Sequence, residues 1–272
     1  MHHGDNRNTM ITALHAAGKL LLDHFGRKPK IKVKVSDGSI VTETDIQSER
    51  LILGMLDKHH GQYNIISEEC GFIKSESEYT WVIDPIDGTS NFAAGLPWFG
   101  VIMALMKDRI PVLGGMYLPL EDQLYFAEKN GGAWKNDKPI RANGARQLKD
   151  TLLAYSFDHS SDPEKTAAEM KMIEKIAATV RNIRATNSLV DFCYVADGRL
   201  GAVINQTTKI WDIAGPSLII QEAGGLVCDI RKNDLDFNVS PGSMSHNYSV
   251  VASGANVHDE LLSLIQIEQA NP

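Results

Sequence analysis

The sequence predicts an α/β protein, on three observations. Apolar residues recur three or four apart near the start, a turn-punctuated run of strands fills 99–140, and strands alternate with helices beyond about residue 150. Residues 1–150 read as an α+β half and residues 151–272 as an α/β half. Met10, Ile11, Leu14, Ala17, Leu21, Leu22 and Phe25 share one helical face, and Gly26 supplies the stop, so the first element is an amphipathic helix. A second helix is expected over 45–60, with Ile46, Ile52, Leu53 and Leu56 as its apolar stripe and His59-His60 at its solvated, dipole-negative end. Strands follow at Asn64–Ser67 and 79–83, each delivering a carboxylate at its end. Gly114-Gly115, Gly131-Gly132 and Asn136-Asp137 then punctuate an antiparallel meander. Beyond it, strands are expected at Leu152–Ser156, 182–185, 201–205, 225–230 and 248–252. Helices are expected at 162–180, 188–196, 212–223 and 257–269. That alternation implies sheets layered with helices. No repeat and no Pro/Gly/Ser linker separates the halves, so they are expected to share an extensive interface.

Composition narrows the function classes. With 43% hydrophobic and 22% charged residues the chain has a soluble globular profile. Its longest apolar run, 101–106, is far short of the ~20 residues that cross a bilayer. The start carries no apolar signal region, so a cytoplasmic location is the default expectation. Cys70, Cys193 and Cys228 form no CxxC pair and no zinc spacing, and read as reduced thiols filling the core. A net charge of −7 argues against nucleic acid as a main partner, because such binding needs a surplus of Lys and Arg. An acidic chain that handles an anion needs divalent cations between the two.

The sharpest motif runs from Trp81 to Phe92, reading WVIDPIDGTSNF. Asp84 ends a strand, Pro85 stops the ladder, and Asp87 follows three residues on, so two carboxylates can clamp a cation. Mg²⁺ prefers hard oxygen ligands, and the Ile86 carbonyl adds one. Gly88-Thr89-Ser90 reads as a turn opening a helix, where free N–H groups favour a phosphate. Two distant carboxylates accompany the motif: Glu68, at the end of the preceding strand, and Asp212, at the opening of a later helix. Read alone, Glu68 is a solvated charge and Asp212 an N-cap. None of the nine histidines has metal-protease spacing, and no Cys or His sits as a nucleophile.

Taken together, Glu68-Glu69, Asp84 to Phe92, Trp211-Asp212-Ile213-Ala214-Gly215 and Glu222-Ala223-Gly224-Gly225 resemble the two signatures of the inositol monophosphatase family. Val41 to Asp45 and Gly131 to Trp134 fit the same family in order. The resemblance implies a layered α/β/α/β/α sandwich, a homodimer, and hydrolysis of a small phosphorylated metabolite with two or three Mg²⁺ per site. It assigns Glu68, Asp84 and the Ile86 carbonyl to one Mg²⁺, and Asp84, Asp87 and Asp212 to a second. Glu68 and Thr89 would orient the attacking water, with Asp45 and Lys34 in outer positions that tune the site. Asp87, Gly88 and Thr89 would cradle the phosphate, and Thr186, Asn187, Ser188, Asn205 and Asp212 would face the rest of the substrate. One departure bears on selectivity: animal members carry glutamate where this chain has Asn205, seven residues before Asp212. Histidinol phosphate, a 3′-phosphoadenosine nucleotide, a sugar bisphosphate, or a regulatory partner-binding role are the alternatives to an inositol phosphate.

Overall fold

Residues 3–34, 38–142 and 147–266 are described in the computed structural model. The chain opens with α1 (His3–His24), a hairpin of β1 (Ile31–Val33) and β2 (Ile40–Thr42), and α2 (Glu43–His60). Then follow β3 (Asn64–Ser67), β4 (Gly71–Ile73), β5 (Tyr79–Asp87) and the short α3 (Thr89–Ala94). The meander is β6 (Gly100–Lys107), β7 (Ile110–Leu118), β8 (Gln123–Glu128), β9 (Gly132–Lys135) and β10 (Lys138–Pro139). The remainder is β11 (Leu152–Ser156), α4 (Pro163–Thr179), β12 (Asn182–Arg184), α5 (Leu189–Ala196) and β13 (Ala202–Thr208). It closes with α6 (Ile210–Glu222), β14 (Gly225–Cys228), β15 (Tyr248–Gly254) and α7 (Ala255–Gln266).

Eight strands form one sheet in the order β10-β9-β8-β7-β6-β5-β3-β4, antiparallel except for the β3–β5 pair. Five form a second sheet, β12-β11-β13-β15-β14, in which β11 runs parallel to both neighbours. Helices α1 and α2 cover the outer face of the large sheet, α5 and α6 lie between the sheets, and α4 and α7 cover the outer face of the small one. The result is the α/β/α/β/α sandwich. Each interlayer space holds its own core. Leu14, Leu21, Ile52 and Trp81 fill the first, Ile102, Val190, Ile219 and Val250 the second, and Leu153, Ile176, Val251 and Leu261 the third.

The middle helix reaches the large sheet because both sides lack side chains at the crossing. A Cβ on Gly114 of β7 would stand 2.6 Å from the Gly215 carbonyl oxygen, and one on Gly215 of α6 would stand 2.9 Å from that of Met103. This close approach sets the depth at which Asp212, three residues before Gly215, meets β5.

Some expectations need correcting. Strand β5 does not end at residue 83: it runs on through Pro85 to Asp87, and only the ladder is interrupted there. Helix α6 starts at Ile210, so Asp212 is its third residue rather than its N-cap. Cys193 and Cys228 are buried free thiols, whereas Cys70 is exposed on the turn after Glu69 and fills no core. The hairpin β1–β2 and the strand β4 are additions, too short to leave a periodic pattern. The surroundings of the His59 and His60 side chains, and residues 267–269 of the last expected helix, lie outside the described residues. No helix of the described residues is long and apolar enough to cross a membrane.

Candidate active site

Strict alternation along a strand sends residues an odd number apart to opposite faces. Asp84 and Asp87 escape this because Asp84 pairs with Ile102 and Asp87 with Gly100, so three steps on β5 answer two on β6. The extra residue is a bulge, placed where Pro85 has no N–H to give the ladder, and it turns both carboxylates to one side. Asp212 joins them from the first turn of α6, its Oδ2 accepting the Lys209 N–H at 2.7 Å. Carboxylate oxygens of Asp84, Asp87 and Asp212 lie within 4.8 Å of one another.

Among the described residues no Lys or Arg forms an ion pair with any of the three, and Lys209 acts on Asp212 only as a minor opposing charge. Asp84 is 2% exposed, and burial, then Glu68, Asp87 and Asp212, push its carboxyl well above the usual range. Burial and then Asp212 do the same to Asp87, opposed by the Leu189 N–H that donates to its Oδ1. Burial raises Asp212 to about 6. Ionised carboxylates at such separations repel by roughly 3 kcal/mol per pair at an effective dielectric of about 20. A divalent cation converts that repulsion into attraction, and three hard oxygen donors suit Mg²⁺. The donor set fits a metal.

Glu68 stands outside the group of three. It is drawn to Lys34, whose Nζ lies 2.7 Å from Glu68 Oε1 and 2.6 Å from Glu69 Oε1. Burial lifts Glu68 to about 7 against the opposing pull of Lys34, and Asp212 and Asp45 add to the rise. Burial likewise lifts Glu69 to about 7. For Lys34 burial favours the neutral amine, but Glu68 and Glu69 outweigh it and the ammonium is held. Asp45 is fully buried in a capping box, accepting from the Thr42 N–H at 2.8 Å, and its carboxyl is raised by burial. The Thr89 hydroxyl lies 2.8 Å from Asp45 Oδ1 and 2.9 Å from the Ile86 carbonyl oxygen, so its one proton serves either acceptor.

Helix α2 holds this arrangement through two residues that the sequence reading missed. The Ser48 hydroxyl donates to the Pro85 carbonyl at 2.8 Å, fixing the bulge. Glu49 Oε1 accepts from the Ser67 hydroxyl and from the N–H groups of Glu69 (3.2 Å) and Cys70 (3.0 Å), fixing the turn that presents Glu68. The available signal was spacing: Asp45, Ser48 and Glu49 fall at i, i+3 and i+4, one helical face.

Next to the cluster, Gly88 precedes α3 with φ 81°, and a Cβ there would stand 2.5 Å from the Trp98 carbonyl. The segment 186–189 packs beside it. Thr186 accepts at its carbonyl from Asn91 Nδ2 (2.8 Å), Asn187 takes a left-handed φ of 49° and donates to the Phe157 carbonyl (2.9 Å), and Ser188 caps α5. Asp191, buried on α5, accepts from the Thr186 N–H at 3.3 Å and so anchors the turn; burial raises its carboxyl to about 6. It too went unread, since an acid in a first helical turn looks like ordinary dipole chemistry. Asn205 sits on β13, and its Oδ1 accepts the Thr207 N–H at 2.8 Å.

One buried and two half-buried carboxylates that could hold a metal ion meet where a large-sheet strand faces a middle-layer helix, in a protein of the α/β/α/β/α sandwich class. The model of the inositol monophosphatase family matches residues 6–270, and the chain belongs to that family. It is 32% identical over 262 residues to an inositol-1-monophosphatase of Mesorhizobium japonicum, covering 95% of both chains. It is 31% identical, with the same coverage, to the Nus factor SuhB of Haemophilus influenzae. The solved structure of the extragenic suppressor protein suhB from Bartonella henselae superposes with a TM-score of 0.87 at 27% identity, covering 97% of this chain and 99% of that one.

Proposed function

We propose that the protein is a Mg²⁺-dependent phosphomonoesterase acting on a small inositol monophosphate-like metabolite. The observation that carries this reading is the approach of Asp84, Asp87 and Asp212 to within 4.8 Å, in a chain of this family. Two or three Mg²⁺ would be held by Glu68, Asp84, the Ile86 carbonyl, Asp87 and Asp212. Bound there, the cations would neutralise the phosphate and make a coordinated water acidic enough to attack.

The chain's own residues supply the rest. Glu68 accepts a proton from the attacking water and Thr89 orients it, while Asp45 holds the Thr89 hydroxyl in place. Lys34 aligns Glu68 and opposes the burial that raises its carboxyl. Asp87, Gly88 and Thr89 cradle the phosphate, using N–H groups that the start of α3 leaves without helical partners. Thr186, Asn187, Ser188 and Asn205 line the leaving-group side, with Asp212 between the two ends. The free thiols are in keeping with a cytoplasmic protein. The family likeness supports a homodimer.

A screen for phosphate release over inositol 1-phosphate, histidinol phosphate, a 3′-phosphoadenosine nucleotide and a sugar bisphosphate tests the reading. Mg²⁺-dependent release from at least one is expected, and none from any would contradict it. A second, regulatory role draws support from the SuhB relative. Asp87→Asn separates the two, because a partner-binding role survives that substitution and hydrolysis does not.

A further inference from the structure

An acidic site has to attract a dianion, and one element beside it carries the opposite charge. Arg27, Lys28, Lys30, Lys32 and Lys34 fall within eight residues, and no Asp or Glu occurs between Asp23 and Asp37, in a chain of net charge −7. This run forms β1 and its flanks. Lys32 lies on β1 between Ile31 and Val33. Lys30 and Lys34 flank the strand one residue beyond either end, two residues from Lys32, the spacing that shares a face where backbone is extended. Lys34 defines where that side leads, since its Nζ reaches Glu68 and Glu69. Lys30 and Lys32 are exposed and precede Lys34 in the chain.

The hairpin is fixed against the site at its other strand. β2 pairs in register with β1, Ile31 opposite Thr42, and packs against α3, whose first residue is Thr89. It ends at Thr42, the cap that holds Asp45. The opposite side of β1 exposes Ile31 (50%) and Val33 (67%), so the strand is kept in place by its partner strand and Lys34 rather than by burial.

We propose that Lys30 and Lys32 form an electrostatic entry rail that concentrates phosphomonoester dianions at the site. The inference rests on the phosphomonoesterase reading and adds residues that bind no metal and touch no reacting atom. Exposed charges act on a dianion through solvent, so the attraction operates at low ionic strength and is screened at high. It raises the encounter of substrate with the site and leaves the chemical step alone.

The test compares wild type with Lys30→Gln/Lys32→Gln and with Lys30→Arg/Lys32→Arg, measuring Mg²⁺-dependent phosphate release across ionic strength. At about 0.02 M the Gln variant should lose about threefold in kcat/KM with kcat unchanged, and the difference should vanish near 0.5 M. The Arg variant should match wild type throughout. Parallel salt dependence in wild type and Gln variant, both active, would overturn the rail while leaving the phosphatase reading intact. An Arg variant as impaired as the Gln one would also overturn it, since charge would not be the cause. A wild type inert towards every phosphomonoester would remove both proposals together.

Discussion

At the residue scale, the account depends on which carboxylates share a cation. Asp84 and Asp212 both belong to the group of three, so losing either leaves cations held there undercompensated. Asp84→Asn or Asp212→Asn should lower kcat by several orders of magnitude with the fold intact. A variant that keeps more than about a tenth of the wild-type rate, a loss under ~1.4 kcal/mol, would show the ligand set to be wrong. Asn205 makes a second residue-scale case. Its carbonyl oxygen already accepts the Thr207 N–H, so in the proposed substrate-facing role it would offer its amide N–H groups, whereas a glutamate would accept from sugar hydroxyls. Asn205→Glu is expected to raise kcat/KM for inositol 1-phosphate about tenfold, the difference between a charged and a neutral hydrogen bond. It should leave the Mg²⁺ requirement unchanged. A fall in kcat/KM would move the selectivity argument to Thr186, Asn187 and Ser188.

At the element scale, two segments hold the site without supplying its donors: α2, through Ser48 and Glu49, and the 186–191 turn, through Asp191. Asp191→Ala frees the Thr186 N–H and loosens the Leu189 N–H from Asp87. Its kcat/KM should drop by about tenfold or more, with Asp191→Asn, which keeps an acceptor, restoring most of it. Steady-state kinetics on the two variants decide the matter, and an Ala variant as fast as wild type would mean the turn holds itself. These supports explain what the sequence could and could not convey. The meander of β6 to β10 was legible in part: Gly131-Gly132 and Asn136-Asp137 do stand at its turns, whereas Gly114-Gly115, expected as a turn, lies inside β7 where α6 crosses it. Helix α1 was legible from its apolar stripe. The convergence of Asp84 with Asp87 was not, since face parity on β5 depends on which residues of β6 lie opposite. Ser48 and Glu49 were invisible as supports, because a polar residue on a helix reads as solvent-facing until the packing is known. Glu68 and Asp212, far apart in the chain, could be grouped with the DPID motif only through the family signatures.

At the scale of the whole molecule, the space between the sheets draws its core from both halves of the chain. We propose that residues 1–150 and 151–272 therefore melt in one transition. The site works against that stability. Glu68 at about 7, Asp212 at about 6 and Asp84 all stand above their ordinary range of about 4, so the folded metal-free protein binds protons more tightly than the unfolded chain. The stability they contribute is complete below about pH 4 and is lost as pH rises through 6 to 7. Mg²⁺ binds the ionised form, so its gain in melting temperature should be larger at pH 8 than at pH 5.5; equal gains would contradict the carboxylate account. The most direct test of the central claim is phosphate release by protein stripped of metal with excess EDTA, then supplied with Mg²⁺. The account predicts no release from the stripped protein and full return on adding Mg²⁺. Undiminished release in excess EDTA would contradict it.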